Sequence, residues 1–376
     1  MSQEVRTGTQ PVTTGDGAPG AVPGARPVPA TTGRARTVLG WLPGAARWGG
    51  ALLAGLVVFG AFVAANGADP FAVLADVWTS TLTQPGQLQQ VVMRAAPIAL
   101  AGLAVVVPAR AGLVNVGGEG QILVGGMAAA GAATWLTPFA SVGGVLTGMV
   151  LAAALAGAAW AGVAAAMRLV VKVNEAVTTL LLNYVALYTM LFLILGPWKD
   201  PAALGQSTSV ELVDSVKLPV FTGTSVHVGV LLAVVAAAAV WFALTRTTWG
   251  FRLTVVGGNA EAARRAGLPV VRLLLTALLI GGALAGLAGF LQLAGMEYKL
   301  RPTFGLTIGY VAFLASWLAR HKPLPLLVTS FVLAAIAVSG NSLQIGSGLP
   351  AASVNVLMGL VLVAVLGWTS TRKERA

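Results

Sequence analysis

Long apolar runs dominate this chain, and they constrain its fold more than any other feature of the sequence. A helix that crosses a bilayer needs about 20 predominantly apolar residues. Closed barrels, the other architecture that spans a membrane, alternate apolar and polar residues, whereas these runs are continuous. The sequence therefore predicts an all-α membrane protein with about ten transmembrane helices. The candidate spans are 48–66, 91–109, 113–135, 142–167, 175–196, 226–245, 270–293, 304–319, 323–341 and 351–368.

The composition excludes several classes of function. Hydrophobic residues make up 57% of the 376-residue chain and charged residues only 9%, against about 25% charge in soluble proteins. There is no cysteine for a disulfide or a thiolate metal site, and the two histidines, His227 and His321, lack the spacing of metal ligands. No catalytic pair of acids and no G-x-x-x-x-G-K-[ST] motif occurs. We therefore predict no enzymatic activity and no cofactor, and any ATP chemistry belongs to another polypeptide.

The net charge of +11 follows membrane topology and does not indicate nucleic-acid binding. With a cytoplasmic N-terminus, 18 of the 23 basic residues fall on the inside and 5 on the outside, as the positive-inside rule requires. The opposite orientation would invert this bias. We therefore expect a multi-pass protein of a bacterial cell membrane with both termini in the cytoplasm.

The chain divides into one membrane domain and two tails. Residues 1–47 are rich in Pro, Gly, Thr and Ala and too poor in apolar residues to fold alone, so we predict a disordered cytoplasmic tail. Residues 48–369 form the transmembrane domain, and 370–376 form a second cytoplasmic tail. The hexapeptide ALAGLA occurs at 99–104 and at 283–288, in spans of opposite direction. It fits an inverted repeat of five plus five spans, and chance also explains so simple a sequence.

One acidic residue, Glu119, lies inside a predicted span. It stands in the segment LVNVGGEGQ, residues 113–121, on the order of 10 Å from the inner face. The surrounding glycines predict an interrupted helix, whose loosened backbone groups must find partners inside the protein. Glu119 either binds those groups as a structural residue or belongs to a substrate pathway, and depth alone leaves both roles open. Asn115, Gln121 and Asn183 offer donors and acceptors to a ligand, with interhelical hydrogen bonding as the alternative role.

The inner loop 246–269 contains a short capped helix. Asn259 is suited to the N-cap, Glu261 falls in the first turn and two arginines lie near the end, an order that complements the helix dipole. Gly267 and Pro269 then end the helix. A mere connection needs no capped helix of defined length. We therefore expect this helix to lie along the membrane surface or to dock into another protein.

This loop resembles the coupling loop of permease subunits in ATP-driven importers, in particular those for ribose-type sugars, branched-chain amino acids and nucleosides. In that family the short helix inserts into a groove of the ATPase subunit, and its small residues allow a close approach. Leu268 replaces an isoleucine of the family pattern, and Arg252 stands one or two residues early. The residues that the resemblance assigns to ATPase coupling are Gly250, Arg252, Gly257, Asn259, Ala262, Ala263, Ala266 and Gly267.

Two further segments resemble the same family. Residues 109–121, ARAGLVNVGGEGQ, match its signature near the third span, and residues 174–186, NEAVTTLLLNYVA, are similar to a segment found chiefly in the nucleoside branch. The resemblance covers about residues 90–369. Two positions depart from it: 312–325 forms a bulky basic turn where small residues are usual, and Met358 stands where a glutamine is common.

The resemblance implies a transport subunit that performs no covalent chemistry. Its partners would be two ATPase subunits, a second permease subunit and an extracellular binding protein, which the outer loop 197–225 would face. Its substrate would be a nucleoside, with Asn115, Glu119, Gln121 and Asn183 as pathway residues. Three alternatives stay open: a simple sugar such as ribose, a branched-chain amino acid, or a secondary transporter driven by an ion gradient, in which the capped helix would have no purpose. The particular nucleoside and the identity of the second permease also stay open.

Overall fold

The computed structural model describes residues 42–84, 86–203, 205, 207–347, 353 and 355–360. The predicted tail 370–376 and residues 1–41 of the predicted N-terminal tail lie outside these ranges. The described part of the N-terminal tail is helical from Leu42 onward.

The described residues form twelve α-helices, a further short helical stretch at 355–360 and no β-strand, with only two isolated β-bridges, Lys199 to Ser209 and Val220 to His227. This confirms the predicted all-α class. Three helices continue as a π-helical turn, through Thr79–Thr83, Met167–Val171 and Leu293–Glu297. In chain order the helices are α1 (Leu42–Ala65), α2 (Pro70–Trp78), α3 (Gln87–Arg110), α4 (Gly118–Leu136), α5 (Val142–Ala166), α6 (Glu175–Leu195), α7 (Gly229–Arg246), α8 (Thr248–Gly258), α9 (Ala260–Arg265), α10 (Val270–Gln292), α11 (Ile308–Leu318) and α12 (Pro323–Ser347).

Six helical stretches among the described residues are long and apolar enough to cross a membrane. A seventh arises if the pair Gly55–Ala65 and Pro70–Asp76, which is bent by 111°, is one broken span. Each of these stretches overlaps one of the predicted spans. The six are Gln87–Arg110, Val142–Val171, Glu175–Leu195, Gly229–Arg246, Val270–Glu297 and Pro323–Gly340.

The count of ten transmembrane helices is not reached by the described residues. In place of the spans predicted at 113–135 and 304–319, the structure has shorter helices, which begin only at Gly118 and Ile308. The residues before each of them run as turns and extended chain. Hydropathy counts their apolar side chains and does not report the conformation of the backbone. Both predicted spans were therefore longer than the observed helices. The last predicted span, 351–368, lies mostly outside the described residues.

The interior of the bundle is built around α3 and α10, which pack against each other. Of the apolar window of α3, 83% is buried, against 22% for that of α5, so α3 is central and α5 peripheral. Glycines let these helices approach closely. A methyl group on Gly286 of α10 would overlap the carbonyl oxygen of Ala153 in α5, and one on Gly125 of α4 would overlap the backbone of Gly286. Such contacts are how helices associate where apolar surface gains little from leaving lipid.

Candidate functional site

The segment between α3 and α4 leaves the helical conformation and passes through the interior as extended chain. It turns at Gly112, whose φ of 76° lies in the left-handed region that glycine adopts without a steric penalty. Extended backbone lacks the partners that a helix provides within itself, so its N–H and C=O groups need others. Most of residues 113–121 are buried, and the partners must therefore come from the protein.

One face of α6 supplies these partners. Asn174 caps this helix by accepting a 2.8 Å hydrogen bond from the N–H of Ala176. Glu175, Thr179 and Asn183 then follow at intervals of four residues, which places them on one face; we call these three residues the α6 stripe. All three are at most 5% exposed.

Each member of the α6 stripe binds backbone groups of the extended segment or of the first turn of α4. These hydrogen bonds join the segment to α6 at three successive turns of the helix. They also give the buried backbone groups of the segment the partners that buried polar groups need. Glu175 also forms an ion pair with Arg168, at the end of α5. The bonds to the segment are Glu175 Oε1 from Val114 N–H (3.2 Å), Thr179 Oγ1 from Val116 N–H (3.2 Å), Asn183 Oδ1 from Gly120 N–H (2.8 Å) and Asn183 Nδ2 to the Val116 carbonyl (3.1 Å).

Asn115 and Gln121 pair with each other. Each side-chain amide donates to the oxygen of the other at 3.1 Å. Asn115 also donates to the carbonyl of Ala104 in α3 at 3.1 Å and accepts from the N–H of Gly117 at 3.0 Å. Both side chains are at most 1% exposed. In this conformation their donors and acceptors serve the protein itself, which is the alternative to a role in a pathway.

Glu119 lies where the N-termini of α4 and α11 meet. Its Oε1 accepts a 2.6 Å hydrogen bond from the N–H of Thr307, and the amides of Gly309 and Tyr310 lie beside the carboxylate. Thr307, the N-cap position of α11, has a φ of 71° and makes no side-chain cap of its own. Gly309 lies so close that a methyl group there would overlap the backbone of Glu119. Glu119 therefore caps α11 from another helix, while its Oε2 has no partner among the described residues.

The four predicted pathway residues thus lie in one buried polar layer, Asn115, Glu119, Gln121 and Asn183. Sequence analysis missed the residues that complete it, namely Glu175 and Thr179 of the α6 stripe and the amide of Thr307. A signal for the first two was present, because their spacing of four residues from Asn183 puts them on the same helix face. No local pattern indicates Thr307, since its contact with Glu119 joins residues 188 positions apart.

The inner loop contains the predicted short helix, α9, and a second helix, α8, before it. Asn259 caps α9, accepting a 2.9 Å hydrogen bond from the N–H of Ala262. Glu261 pairs with Arg264 at 2.9 Å and with Arg265 at 3.2 Å. Gly267, with a φ of 79°, ends the helix, so its predicted cap and stop are both confirmed.

The predicted coupling residues divide into two groups. Three of them touch their own chain. Ala263 is 1% exposed, and a methyl group on Gly250 or Gly257 would overlap carbonyl oxygens of α7 and α3 respectively. These three seat the loop on the bundle. The exposed members, which remain accessible to another protein, are Gly257 itself and Arg252, Asn259, Ala262, Ala266 and Gly267.

Comparison with known proteins gives the family. Residues 87–366 match the family described as the permease component of branched-chain amino acid transport systems. The chain belongs to this family of ABC-transporter permeases. It is therefore a membrane transport subunit, and the hydrolysis of ATP lies in partner subunits.

Similar permeases serve different substrates. A glucose ABC transporter permease of Haloferax volcanii is 36% identical, over 84% of this chain and 85% of its own length. A guanosine permease of Bacillus subtilis is 27% identical, over 84% of this chain and 91% of its own. A nucleoside permease of Lactococcus lactis is 24% identical, over 83% and 88%. No solved structure matches the chain.

Backbone hydrogen bonds join the loop 197–225 of the permease to the residues that follow α10 and its π-helical turn. The N–H of Ser209 donates to the carbonyl of Leu300 at 2.9 Å, and that of Leu212 to Tyr298 at 2.8 Å. Lys217 lies 2.8 Å from carboxylate oxygens of both Glu211 and Asp214. These hydrogen bonds lower the pKa of both carboxyls and raise that of the lysine. A cleft of about 660 Å³ opens beside this loop, with four aromatic residues in its wall, Trp135, Phe139, Trp198 and Tyr298.

Glu297 lies at the end of the candidate span Val270–Glu297, because the π-helical turn extends α10 beyond the predicted boundary at residue 293. Its carboxylate accepts a 2.7 Å hydrogen bond from Gln292 Nε2 and lies 3.5 Å from Arg301 Nε. Neighbouring side chains therefore occupy this carboxylate.

Proposed function

We propose that this permease imports nucleosides. The observation that carries the proposal is the segment 174–186, which resembles the nucleoside branch and also bears the α6 stripe. Two of the similar permeases are named for guanosine and for nucleosides. A ribose with its base presents hydroxyls, ring nitrogens and an aromatic face, and the neutral amides of the polar layer can both donate and accept hydrogen bonds.

A glucose importer is the second candidate. The permease named for glucose is more similar to this chain, at 36% identity, than those named for guanosine and nucleosides, at 27% and 24%. A branched-chain amino acid is a weaker candidate, because it comes only with the family description. An ion-coupled transporter does not fit an ABC permease.

The pathway role of Asn115, Glu119, Gln121 and Asn183 stays a prediction. In the described conformation, the hydrogen bonds of the polar layer are made to the protein. The free acceptor is Oε2 of Glu119, which could receive a hydroxyl of the substrate. We propose that substrate meets this layer only in a conformation in which the N-termini of α4 and α11 have separated.

We propose ten spans arranged as an inverted repeat of five plus five. The repeated hexapeptide lies in α3 and in α10, and each of these helices is followed by an irregular segment and a shorter helix. The two shorter helices, α4 and α11, meet at Gly118 and Gly309, where a methyl group on Gly118 would lie 3.6 Å from the Cα atom of Gly309. Ten spans, an even number, place both termini on the same side of the membrane. The distribution of the basic residues favours the cytoplasm as that side.

We propose that α9 docks into the ATPase subunit through its exposed residues, and that a second permease subunit and an extracellular binding protein complete the importer. The outer loop 197–225, with its charged cluster and cleft, is the proposed face for the binding protein. The exposed face of α9 consists of small residues between charged ones, which suits insertion into a groove.

The deciding experiment is uptake into cells that express this permease with its ATPase, second permease and binding protein. Labelled guanosine, adenosine, uridine, glucose, ribose and leucine are offered in parallel, with and without ATP depletion. ATP-dependent nucleoside uptake is expected. Uptake of glucose or ribose instead would mean that the substrate is a sugar and not a nucleoside. Uptake that survives ATP depletion but stops when the ion gradient is removed would refute coupling to an ATPase.

The same assay tests docking with a matched pair of variants. Ala262→Arg places a bulky charge on the exposed face of α9, and Ala65→Arg makes the same change at an exposed site at the end of α1, outside the proposed interfaces. We expect Ala262→Arg to abolish uptake with normal membrane insertion and Ala65→Arg to leave it intact. Ala263→Arg should abolish uptake too, but by unseating α9, because Ala263 is buried in its own chain. Normal uptake by Ala262→Arg would refute the docking face.

A further inference from the structure

The end of α8 lies directly on the turn that leaves α3. A methyl group on Gly257 would overlap the carbonyl oxygen of Arg110, and one on Gly112 would lie 3.4 Å from the carbonyl oxygen of Gly257. The neighbouring Gly258 has nothing within 4 Å of the same position. At Gly257 the contact is therefore made by backbone on both sides, and although both glycines are exposed, no side chain lies between them that could change rotamer and absorb a displacement.

On one side of this contact, α8 is joined tightly to α9. Asn259 ends α8 through a 3.1 Å hydrogen bond from its N–H to the carbonyl of Val255, and its side chain caps α9. Trp249 anchors the beginning of α8 by donating its indole N–H to Thr276 of α10 at 3.3 Å. A displacement of α9 is therefore passed to the end of α8 without an intervening flexible linker.

On the other side, the turn leads into the extended segment within two residues. Val114 is already bonded to Glu175, the first member of the α6 stripe. The next two levels of the stripe hold Val116 and Gly120, and Glu119 holds the N-terminus of α11. The segment thus connects the turn under α8 to two helices that are remote from the inner loop in sequence.

We propose that residues 110–120 form a relay that carries movement of the docked helix α9 to α6 and α11. Gly112 and Gly257 are its positioning residues at the inner end, and the α6 stripe and Glu119 are its attachments in the interior. The inference rests on the proposed docking of α9 to the ATPase subunit, and goes beyond it by naming the route. An extended segment fixed at several levels moves as a body, so a shift at its inner end alters the position of both helices.

A second route leaves α9 through the chain itself, across Gly267 to α10. Both routes begin at the docked helix, and the contact at Gly257 distinguishes them. A change at Gly257 leaves the covalent connection into α10 untouched. If movement travelled through α10 alone, such a change would have no effect on coupling.

The first test compares Gly257→Ala with Gly258→Ala. The two substitutions add the same methyl group to adjacent residues of α8, but only the first displaces the turn at Arg110. The complete importer, with ATPase subunits, second permease and binding protein, is reconstituted in proteoliposomes, and nucleoside uptake and phosphate release are measured together. We expect Gly257→Ala to lower uptake per ATP hydrolysed about tenfold, with hydrolysis kept within about twofold. A ratio equal to that of Gly258→Ala, or a parallel fall of both rates, would overturn the relay.

The second test breaks the relay at its other end. Thr179→Val removes the hydroxyl that binds Val116, whereas Thr178→Val removes a hydroxyl that bonds only within α6, to the carbonyl of Asn174. Both threonines are at most 4% exposed, so the two variants lose a buried hydroxyl in the same helix. Reduced uptake per ATP in Thr179→Val alone supports the relay, and equal ratios in both variants would overturn it, even if Gly257→Ala fails to assemble.

A distance measurement makes the result independent of the substrate. The chain has no cysteine, so cysteines introduced at two exposed sites, Val185 in α6 and Val235 in α7, can be labelled specifically with nitroxides. We expect ATP with vanadate to shift this distance in the otherwise native permease and in Gly258→Ala, and not in Gly257→Ala. The same shift in all three would overturn the relay. If the native importer took up none of the offered substrates, the proposed function would fail, while this distance would still decide the relay.

Discussion

Two segments of the proposed coupling route, helix α9 and residues 113–120 of the relay, are stabilised in opposite ways. Helix α9 depends on its own residues: Asn259 caps it, Glu261 pairs with two arginines and Gly267 ends it. Residues 113–120, which comprise the irregular chain before α4 and the first turn of α4, make their hydrogen bonds mainly with distant residues, up to 188 positions away. One is exposed and locally determined, the other buried and determined by the whole bundle.

This difference fits the tasks proposed for them. A helix that docks into another protein keeps its conformation before and after docking if local caps hold it. A segment that positions two helices must instead be bonded to both. Local stabilisation would hold a docking helix in its bound conformation. Long-range hydrogen bonds would let a segment move the helices to which it is bonded.

The largest expected effect comes from removing the long-range bond of Glu119. Glu119→Ala leaves the N-terminal amides of α11 without their buried acceptor, which costs about 1–3 kcal/mol of unfolding free energy. Glu119→Gln keeps an oxygen that can accept from Thr307 and should lose much less. Thermal unfolding of the purified permease in detergent measures both.

Uptake by the same two variants separates the roles of Glu119. A structural cap predicts that Glu119→Gln transports nearly normally while Glu119→Ala does not. If Glu119→Gln is as stable as the native permease but has a strongly raised KM for substrate, the carboxylate belongs to the pathway. Equal stability of Glu119→Ala and the native permease would contradict the cap.

A smaller effect is expected from breaking a local bond of α9. Asn259→Ala removes an N-cap, which costs about 1 kcal/mol of helix stability. Because the proposed docking of α9 uses a preformed helix, we expect uptake to fall severalfold while global unfolding of the permease hardly changes. Asn259→Asp, which retains a capping oxygen, is the control. A loss of global stability as large as that of Glu119→Ala would mean that α9 is not locally determined.

The smallest effect concerns the outer cluster of Lys217 with Glu211 and Asp214. Its carboxyls have lowered pKa values, so their contribution to stability is present at neutral pH. It is lost as the pH falls through those lowered pKa values. We expect Lys217→Met to shift thermal unfolding slightly at pH 7 and less at pH 3. Lys199→Met, which removes a lysine of the same loop without a carboxylate partner among the described residues, should shift neither. An equal shift at both pH values would contradict an ionic origin.

The sequence predicted what local rules determine. The cap at Asn259 and the stop at Gly267 follow from residue types within a few positions, and the long apolar helices follow from hydropathy. The irregular start of α11 was not predicted, because hydropathy reports side chains and the bonds in question involve backbone. The glycines around Glu119 indicated a break in the helix, but its partners in α6 and α11 depend on tertiary packing.

The meeting of two helix N-termini at Glu119 also balances charge. Each helix N-terminus carries roughly half a positive elementary charge from its aligned peptide dipoles. Glu119 lies in the first turn of α4 and accepts a hydrogen bond at the start of α11, so the dipoles of both helices favour its carboxylate. A single acid can therefore lie deep among apolar helices with no lysine or arginine bonded to it. The counter-charge is made of backbone, and any motion that separates the two helices takes half of it away.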